Sequence, residues 1–334
     1  MRTLTRVISM DLTSLPTEII LAIAEYLSDS EKINLLQCNH ELYELKRLLK
    51  FHSMINLSEL YLDNCRDNFT NIFVDWFCRN RNRSRPILHQ GITHLAFSYA
   101  FTNYSEIKIP NTVMHLTFGK TFNQRLDDII PNSVTHLIFG NRFNQPLDAG
   151  LPFGLTHLTL GNNFNRPLGT SLPSTLTHLI FGDHFYQHLG RSLPASLTHL
   201  TFGWTFDLSL HDSLPKGLIH LTFGNCFNQR LGTSLPNTLT HLVFGNAFNQ
   251  SLGASLSDGL IHLVFGDTFN QSIESCIPAS VTYLKFGWGF EQPLHGIPSQ
   301  ITRLILPEIY LMYDPECVHR YAEILELREF YDEC

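Results

Sequence analysis

Along most of this chain apolar and polar positions alternate in short bursts, and the bursts recur at one fixed interval. Pro152 to Leu172 contains one of them. Leu155, Leu158 and Leu160 are apolar, His157 and Thr159 stand between them, Gly161 ends the run, and Phe164, Leu168 and Leu172 follow before Pro173 opens the next copy twenty-one residues after Pro152. The histidine recurs at His94, His115, His136, His157, His178, His199, His220, His241 and His262. The phenylalanine after the glycine recurs at Phe101, Phe122, Phe143, Phe164, Phe185, Phe206, Phe227, Phe248, Phe269 and Phe290, and every step in both series is twenty-one. Period-two alternation predicts a short strand with leucines facing a core and His157 and Thr159 facing out. A unit this short cannot bury its apolar face alone, so the copies must stack with their strands parallel.

Other columns of the unit acquire roles in such a stack. Gly119, Gly140, Gly161, Gly182, Gly203, Gly224, Gly245, Gly266 and Gly287 end the strands, where a positive φ or a close approach of the next coil would require glycine. The phenylalanines should pile into a spine. Asn123, Asn144, Asn165, Asn228, Asn249 and Asn270 follow them, and their carboxamides should bond backbone groups in the turn, with Tyr186, Asp207 and Glu291 interrupting the row. The return segment is too short for a full helix and predicts turns or 3₁₀ pieces. The last unit has one residue fewer between Pro278 and Pro298, and its histidine column becomes Tyr283 and then Arg303, the drift expected of a terminal coil.

The pattern changes at both ends. Between Leu12 and Lys50 apolar residues fall at helical spacing: Ile19, Ile20, Ile23, Tyr26 and Leu27, then Ile33, Leu35, Leu36, Leu42 and Leu45. Ser14 or Thr17 can cap the first helix, and Ser28-Asp29-Ser30 breaks it and can cap the second. From Leu57 to Leu62 a leucine-rich strand is expected, and the spacing of Phe69, Phe73, Trp76 and Phe77 predicts a short helix packed on the first repeat. Asp314 to Cys334 predicts an amphipathic helix over the far end of the stack. The divisions are 8–52, 53–90, 91–306 and 307–334.

Composition narrows the chemistry. The 334 residues carry a formal charge of −7, which disfavours a nucleic-acid partner, and Arg79 to Arg85 is a basic run best read as a solvated loop. Seven scattered cysteines form no C-x-x-C pair, so neither a zinc framework nor a disulfide scaffold is expected. With no signal-peptide or membrane-span pattern, an intracellular protein of the cytoplasm or nucleus is expected, with its N-x-S/T sites unused. Hydrolase, metalloprotease, phosphate-loop and dinucleotide motifs are lacking. The nine histidines form a row on the outer sheet face, but a uniform row offers no singular site, so no catalytic residue, metal or cofactor is assigned. Such a row should resist protonation.

Function then rests on the variable surface. The pair after each strand glycine varies most and lies along one rim. Trp204 and Trp288 are its largest apolar groups and, with Asp183, His184 and Arg142, are the candidate contacts for a target protein.

Two stretches resemble known families. Leu15-Pro16-x-Glu18-Ile19-Ile20-x-x-Ile23-x-x-Tyr26-Leu27, followed by Ser30, Ile33, Leu35, Leu36, Cys38 and Leu42, resembles an F-box, though the aromatic after the cysteine has only Leu42-Tyr43 as a counterpart. Phe143-Asn144-Gln145-Pro146-Leu147 and Phe164-Asn165-Arg166-Pro167-Leu168 resemble the FNIP repeat. The combination is similar to proteins of social amoebae and of giant viruses that infect amoebae. The resemblance implies an α+β chain: a helical F-box module, a leucine-rich-repeat-like β-solenoid of about ten FNIP coils, and a helical C-terminal cap. It further implies a monomer in a hetero-complex, in which Leu15, Pro16, Ile19, Ile23, Leu27, Ile33, Leu35 and Leu36 contact a Skp1-like adaptor and through it a cullin, while the solenoid holds a target for ubiquitin transfer. A scaffold that occupies Skp1 without delivering targets is the main rival reading, and an enzyme built on the histidine row is the third.

Overall fold

The computed structural model describes residues 90–328 apart from 100–103, 105–106, 127–128, 149, 211, 233–234, 254 and 322, together with Ile55–Asn56, Asn71–Val74, Leu88 and a few positions between 20 and 32. Two compact units, 1–119 and 120–334, divide the chain.

In the first unit the described strands are β1 (Ile55–Asn56), β2 (Asn71–Val74), β3 (His94–Phe97) and β4 (His115–Thr117). They pair in parallel in chain order, with Ile55 against Ile72, Ile72 against Leu95 and Leu95 against Leu116. Phe73 therefore lies in a strand, which corrects the helix expected there. Four apolar residues at helical spacing are a weak signal when a neighbouring strand offers a ladder of unpaired backbone groups. The expected strand at Leu57–Leu62, like Phe69, Trp76 and Phe77, lies outside the described residues. Near the N-terminus Ile20 and Ala24 are helical and buried, four residues apart. Ser28 and Glu31 form a reciprocal cap: the Ser28 N–H donates to Glu31 Oε2 at 2.9 Å and the Glu31 N–H to Ser28 Oγ at 3.4 Å. Ser28 thus caps the second helix as its sequence predicts.

The second unit contains β5 (His136–Ile138), β6 (His157–Thr159), β7 (His178–Ile180), β8 (His199–Thr201), β9 (His220–Thr222), β10 (His241–Val243), β11 (His262–Val264), β12 (Tyr283–Lys285), β13 (Arg303–Pro307) and β14 (Leu325–Arg328). Strand order follows chain order. Each histidine-column residue pairs with its equivalent, as His136 with His157 and His178 with His199, and the shortened coil still pairs Tyr283 with Arg303. In β5 to β12 the central leucine is buried, and its two neighbours are partly exposed on the opposite face.

Behind the sheet the core is aromatic. Phe122, Phe143, Phe164, Phe185, Phe206, Phe227, Phe248, Phe269 and Phe290 stack with ring centroids 5.7–6.3 Å apart. A second column, the residue before the strand glycine, lies against the first. Phe223 and Phe227 are 3.8 Å apart, and Phe223 and Phe244 are 5.5 Å apart across the coils. Leu160 takes this place in one coil. Tyr310 extends the spine, with its ring 5.8 Å from Phe290 and its hydroxyl donating to the Gln292 carbonyl at 2.9 Å. Burial pushes the Tyr310 phenol well above its ordinary range.

The C-terminal segment differs from the expected helix. A 3₁₀ turn at Glu308–Met312 and the one-turn helix α1 (Cys317–Arg320) lead into β14, which adds a further parallel strand to β13. Leu325 pairs with Leu304, so the ending reproduces the coil register in place of an amphipathic cover. Arg303 and Glu326 join the two strands at 2.6 Å.

The strand-end glycines are required by contact. A Cβ on Gly203 would lie 1.9 Å from the Gly182 carbonyl oxygen, and one on Gly224 would lie 1.7 Å from that of Gly203. These glycines have no positive φ. Left-handed backbone occurs in a different column, at Gly169, Gly190, Gly232 and Gly253, with φ of 52–58° and open space where a Cβ would be. The two columns predict different penalties. Gly190→Ala should cost about 1 kcal/mol from backbone strain. Gly203→Ala should cost about 3 kcal/mol or more, because two backbones must separate. Chemical denaturation of the two variants checks this, and equal midpoints would contradict it.

Candidate functional site

The outer face of the second unit is governed by the histidine column. The rings of His136, His157, His178, His199, His220 and His241 stack 4.0–4.2 Å apart, nearly parallel. His262 stands 5.4 Å from His241 and 4.1 Å from Tyr283, and the Arg303 guanidinium lies 5.5 Å from the Tyr283 ring centre. In the first unit His94 and His115 stack at 4.1 Å.

The residue before each histidine sets the ring. Thr156, Thr177 and Thr198 place Oγ1 2.8–2.9 Å from Nδ1 of the following histidine. The same hydroxyls donate to carbonyl oxygens of the preceding coil at 3.1 Å. With its one proton committed to that carbonyl, the hydroxyl accepts from Nδ1–H, which leaves the ring lone pair on Nε2. Ile219 and Ile261 replace threonine before His220 and His262, and the buried Nδ1 of His262 has no hydrogen-bond partner.

This arrangement disfavours charge. Desolvation, then the neighbouring imidazoles, lowers His199 to about 4. The same causes lower His178, His220 and His262. The unfolded chain therefore takes up protons first as pH falls. Stability contributed by these rings is complete above the ordinary histidine range near 6.5 and declines as pH falls through that range, for His199 down to about 4. The melting temperature should change little between pH 7.5 and about 6.5 and fall from there to pH 5.0, and a flat profile across the whole range would contradict the neutral stack. Among the described residues no group of three or more His, Cys, Asp or Glu is placed to hold a metal ion.

A second ladder runs behind the rim. The Oδ1 of Asn123, Asn144, Asn165, Asn228, Asn249 and Asn270 accepts the backbone N–H of the equivalent residue one coil on, at 2.9–3.1 Å. The glutamine two positions after the core phenylalanine often donates to the same oxygen, as Gln250 does to Asn228 at 3.1 Å. Asp207 does not interrupt this ladder: its carboxylate accepts from the Asn228 N–H at 2.8 Å and from Gln229 at 2.9 Å. Tyr186 has no carbonyl to offer and is the break. Glu291 instead accepts from the Tyr313 hydroxyl at 2.8 Å.

The rim pair following each glycine is fixed by backbone bonds between coils. The N–H groups of His184, Thr205, Cys226 and Gly289 donate to the carbonyls of Asn162, Asp183, Trp204 and Asp267 at 2.7–2.9 Å. Asp183, Trp204 and Trp288 stand in the first rim column, and Arg142 and His184 stand in the second. Trp204 is 56% exposed, Asp183 is half-buried and accepts from Asn162 Nδ2, and His184 and Arg142 are exposed. Trp288 is half-buried beneath the Arg328 guanidinium, 5.7 Å from its ring centre. Of the two tryptophans proposed as contacts, then, one is covered and one is open. Reading the chain in units of twenty-one conceals a longer regularity here. The first rim column runs Asn141, Asn162, Asp183, Trp204 and then Asn225, Asn246, Asp267, Trp288. Leu27, alone among the residues expected to meet an adaptor, is described, and it is half-buried. Leu15, Pro16, Ile19, Ile23, Ile33, Leu35 and Leu36 lie outside the described residues.

The FNIP Repeat family model matches residues 103–142, 143–184, 185–226, 227–254, 248–289 and 269–308. These matches span more than half of the chain, which belongs to the FNIP repeat family. The chain is also similar to the crystal structure of CroV588, described as a novel circular LRR protein structure, with 41% identity and a TM-score of 0.64 over 72% of this chain. The match covers 37% of CroV588, so this chain spans well under half the length of that protein. Among curated proteins none matches. No helix among the described residues is long and apolar enough to cross a membrane.

Proposed function

We propose that this FNIP-repeat solenoid is a protein-binding scaffold acting as the substrate receptor of an SCF-type ubiquitin ligase. One observation carries the reading: a stretch resembling an F-box precedes a stack whose framework columns are uniform and whose rim column is varied. A framework made of leucine, phenylalanine, glycine and asparagine maintains the coils, so the rim is free to change without loss of fold. Rims and faces of this kind provide extended protein-binding surfaces in repeat proteins. The first helical stretch would dock on a Skp1-like adaptor through Leu15, Pro16, Ile19, Ile23 and Leu27, with Ile33, Leu35 and Leu36 contributed by the second. The solenoid would present a target protein to ubiquitin transfer carried out elsewhere in the complex, and the chain itself would perform no chemistry. The helical setting of Ile20 and Ala24 and the Ser28–Glu31 cap are compatible with the two short helices that this docking requires.

The test is a pull-down of the tagged chain against purified Skp1, beside a Leu15→Ala/Pro16→Ala double variant. The parent should retain Skp1, and the variant should lose at least tenfold in affinity while its solenoid melts unchanged. No retention by the parent would remove the ligase reading and leave the scaffold.

A further inference from the structure

The longer rim regularity brings two equivalent acidic–tryptophan pairs into the second unit, Asp183–Trp204 and Asp267–Trp288, four coils apart. The likeness extends beyond the pair. Each tryptophan is followed three residues later by a carboxylate, Asp207 or Glu291, and each coil is entered through Pro-Ala-Ser, at Pro194 and at Pro278. The two sites differ in occupancy. At Trp288 the Arg328 guanidinium, carried on the extended strand β14, lies over the indole within cation–π range. Arg328 pairs in register with Pro307, which continues the strand-end glycine column from Gly287. Two coils beyond Gly203 that column holds Gly245, which has no side chain to lay over Trp204. Trp204 is therefore left 56% exposed beside a carboxylate.

The local charge also differs. Lys285 stands in the strand before Trp288 and interacts with both Asp267 and Arg328. Its equivalent before Trp204 is Thr201, so no cation in that position offsets Asp183. The open site has an exposed indole face next to Asp183, whose carboxylate also accepts from Asn162 Nδ2, and the covered site places a guanidinium over the equivalent indole even with Lys285 nearby.

We propose that the Asp183–Trp204 rim site binds an arginine side chain presented on an extended segment of a partner protein, in the manner in which Arg328 covers Trp288. This rests on the reading of the solenoid as a protein-binding scaffold and specifies the chemistry its partner must display. A guanidinium suits the site better than an ammonium because its flat face stacks on the indole while its edge meets the carboxylate.

The test uses the full chain with ¹⁵N-labelled tryptophan, whose indole N–H resonances are assigned by single Trp→Phe replacements. N-acetyl-arginine amide should shift the Trp204 resonance saturably, and N-acetyl-citrulline amide, which has the same shape without the charge, should not. Asp183→Asn should weaken the response about threefold. Arg328→Ala should uncover the second site, so that Trp288 begins to respond to arginine amide as Trp204 does. A silent Trp204, or an equal response to citrulline amide, overturns the inference. Failure of the scaffold reading is recognised separately: it concerns whether any protein is held, and a client still captured by Trp204→Ala would preserve that reading while removing this one.

Discussion

Everything in the stack depends on the distance of closest approach between coils at the strand-end glycine. There the backbone of one coil comes so near the carbonyl of the coil before that a Cβ would lie about 2 Å from it. That contact sets the separation at which the parallel strands pair, the phenylalanines stack and the asparagine side chains reach their neighbours. A single coil gains none of these interactions alone. Stability is thus shared between neighbours, and the fold is built from coil–coil interfaces rather than from one central core.

Each column of the unit answers a physical demand created by that stacking. Two columns of rings fill the space behind a strand of only three residues, so the interior can be dry without helices. Carboxamides and threonine hydroxyls satisfy turn backbone that no sheet partner reaches. Threonine hydroxyls orient most of the histidine rings, burial and the neighbouring imidazoles disfavour charge on His178, His199, His220 and His262, and the rings pack flat on the outer face. Repetition assigns the histidines to structure: interchangeable members of a row are poorly suited to be a singular catalytic base. The end of the row is closed by Arg303 stacked on Tyr283 and paired with Glu326, a cation admitted only where the imidazoles have stopped.

Once these columns are set, what remains free is the rim. There the second unit repeats itself at four coils, with two similar pairs in unlike surroundings: one closed by the chain's own arginine and one open. Similarity between the sites defines the ligand chemistry, and the difference in the neighbouring column defines the vacancy. A binding surface made in this way can be altered one residue at a time, because neither the aromatic spine nor the glycine contact depends on it.

From the sequence alone the coil length, strand positions, inward leucines, phenylalanine spine and asparagine ladder could be read, because each expresses a fixed chemical preference repeated many times over. Less was legible where the signal occurred once. Phe73 sits in a strand despite helical spacing, and β14 replaces the expected terminal helix, because an open sheet edge supplies backbone partners that no local pattern records. Asp207 resembled an interruption in the letters and is an acceptor in space, since its carboxylate presents an oxygen where asparagine presents one. The glycine column was recognisable as special, but φ values and contacts were needed to separate close approach from left-handed backbone. Which tryptophan is covered depends on Arg328 reaching back from a strand two coils away, and only the tertiary fold brings those residues together.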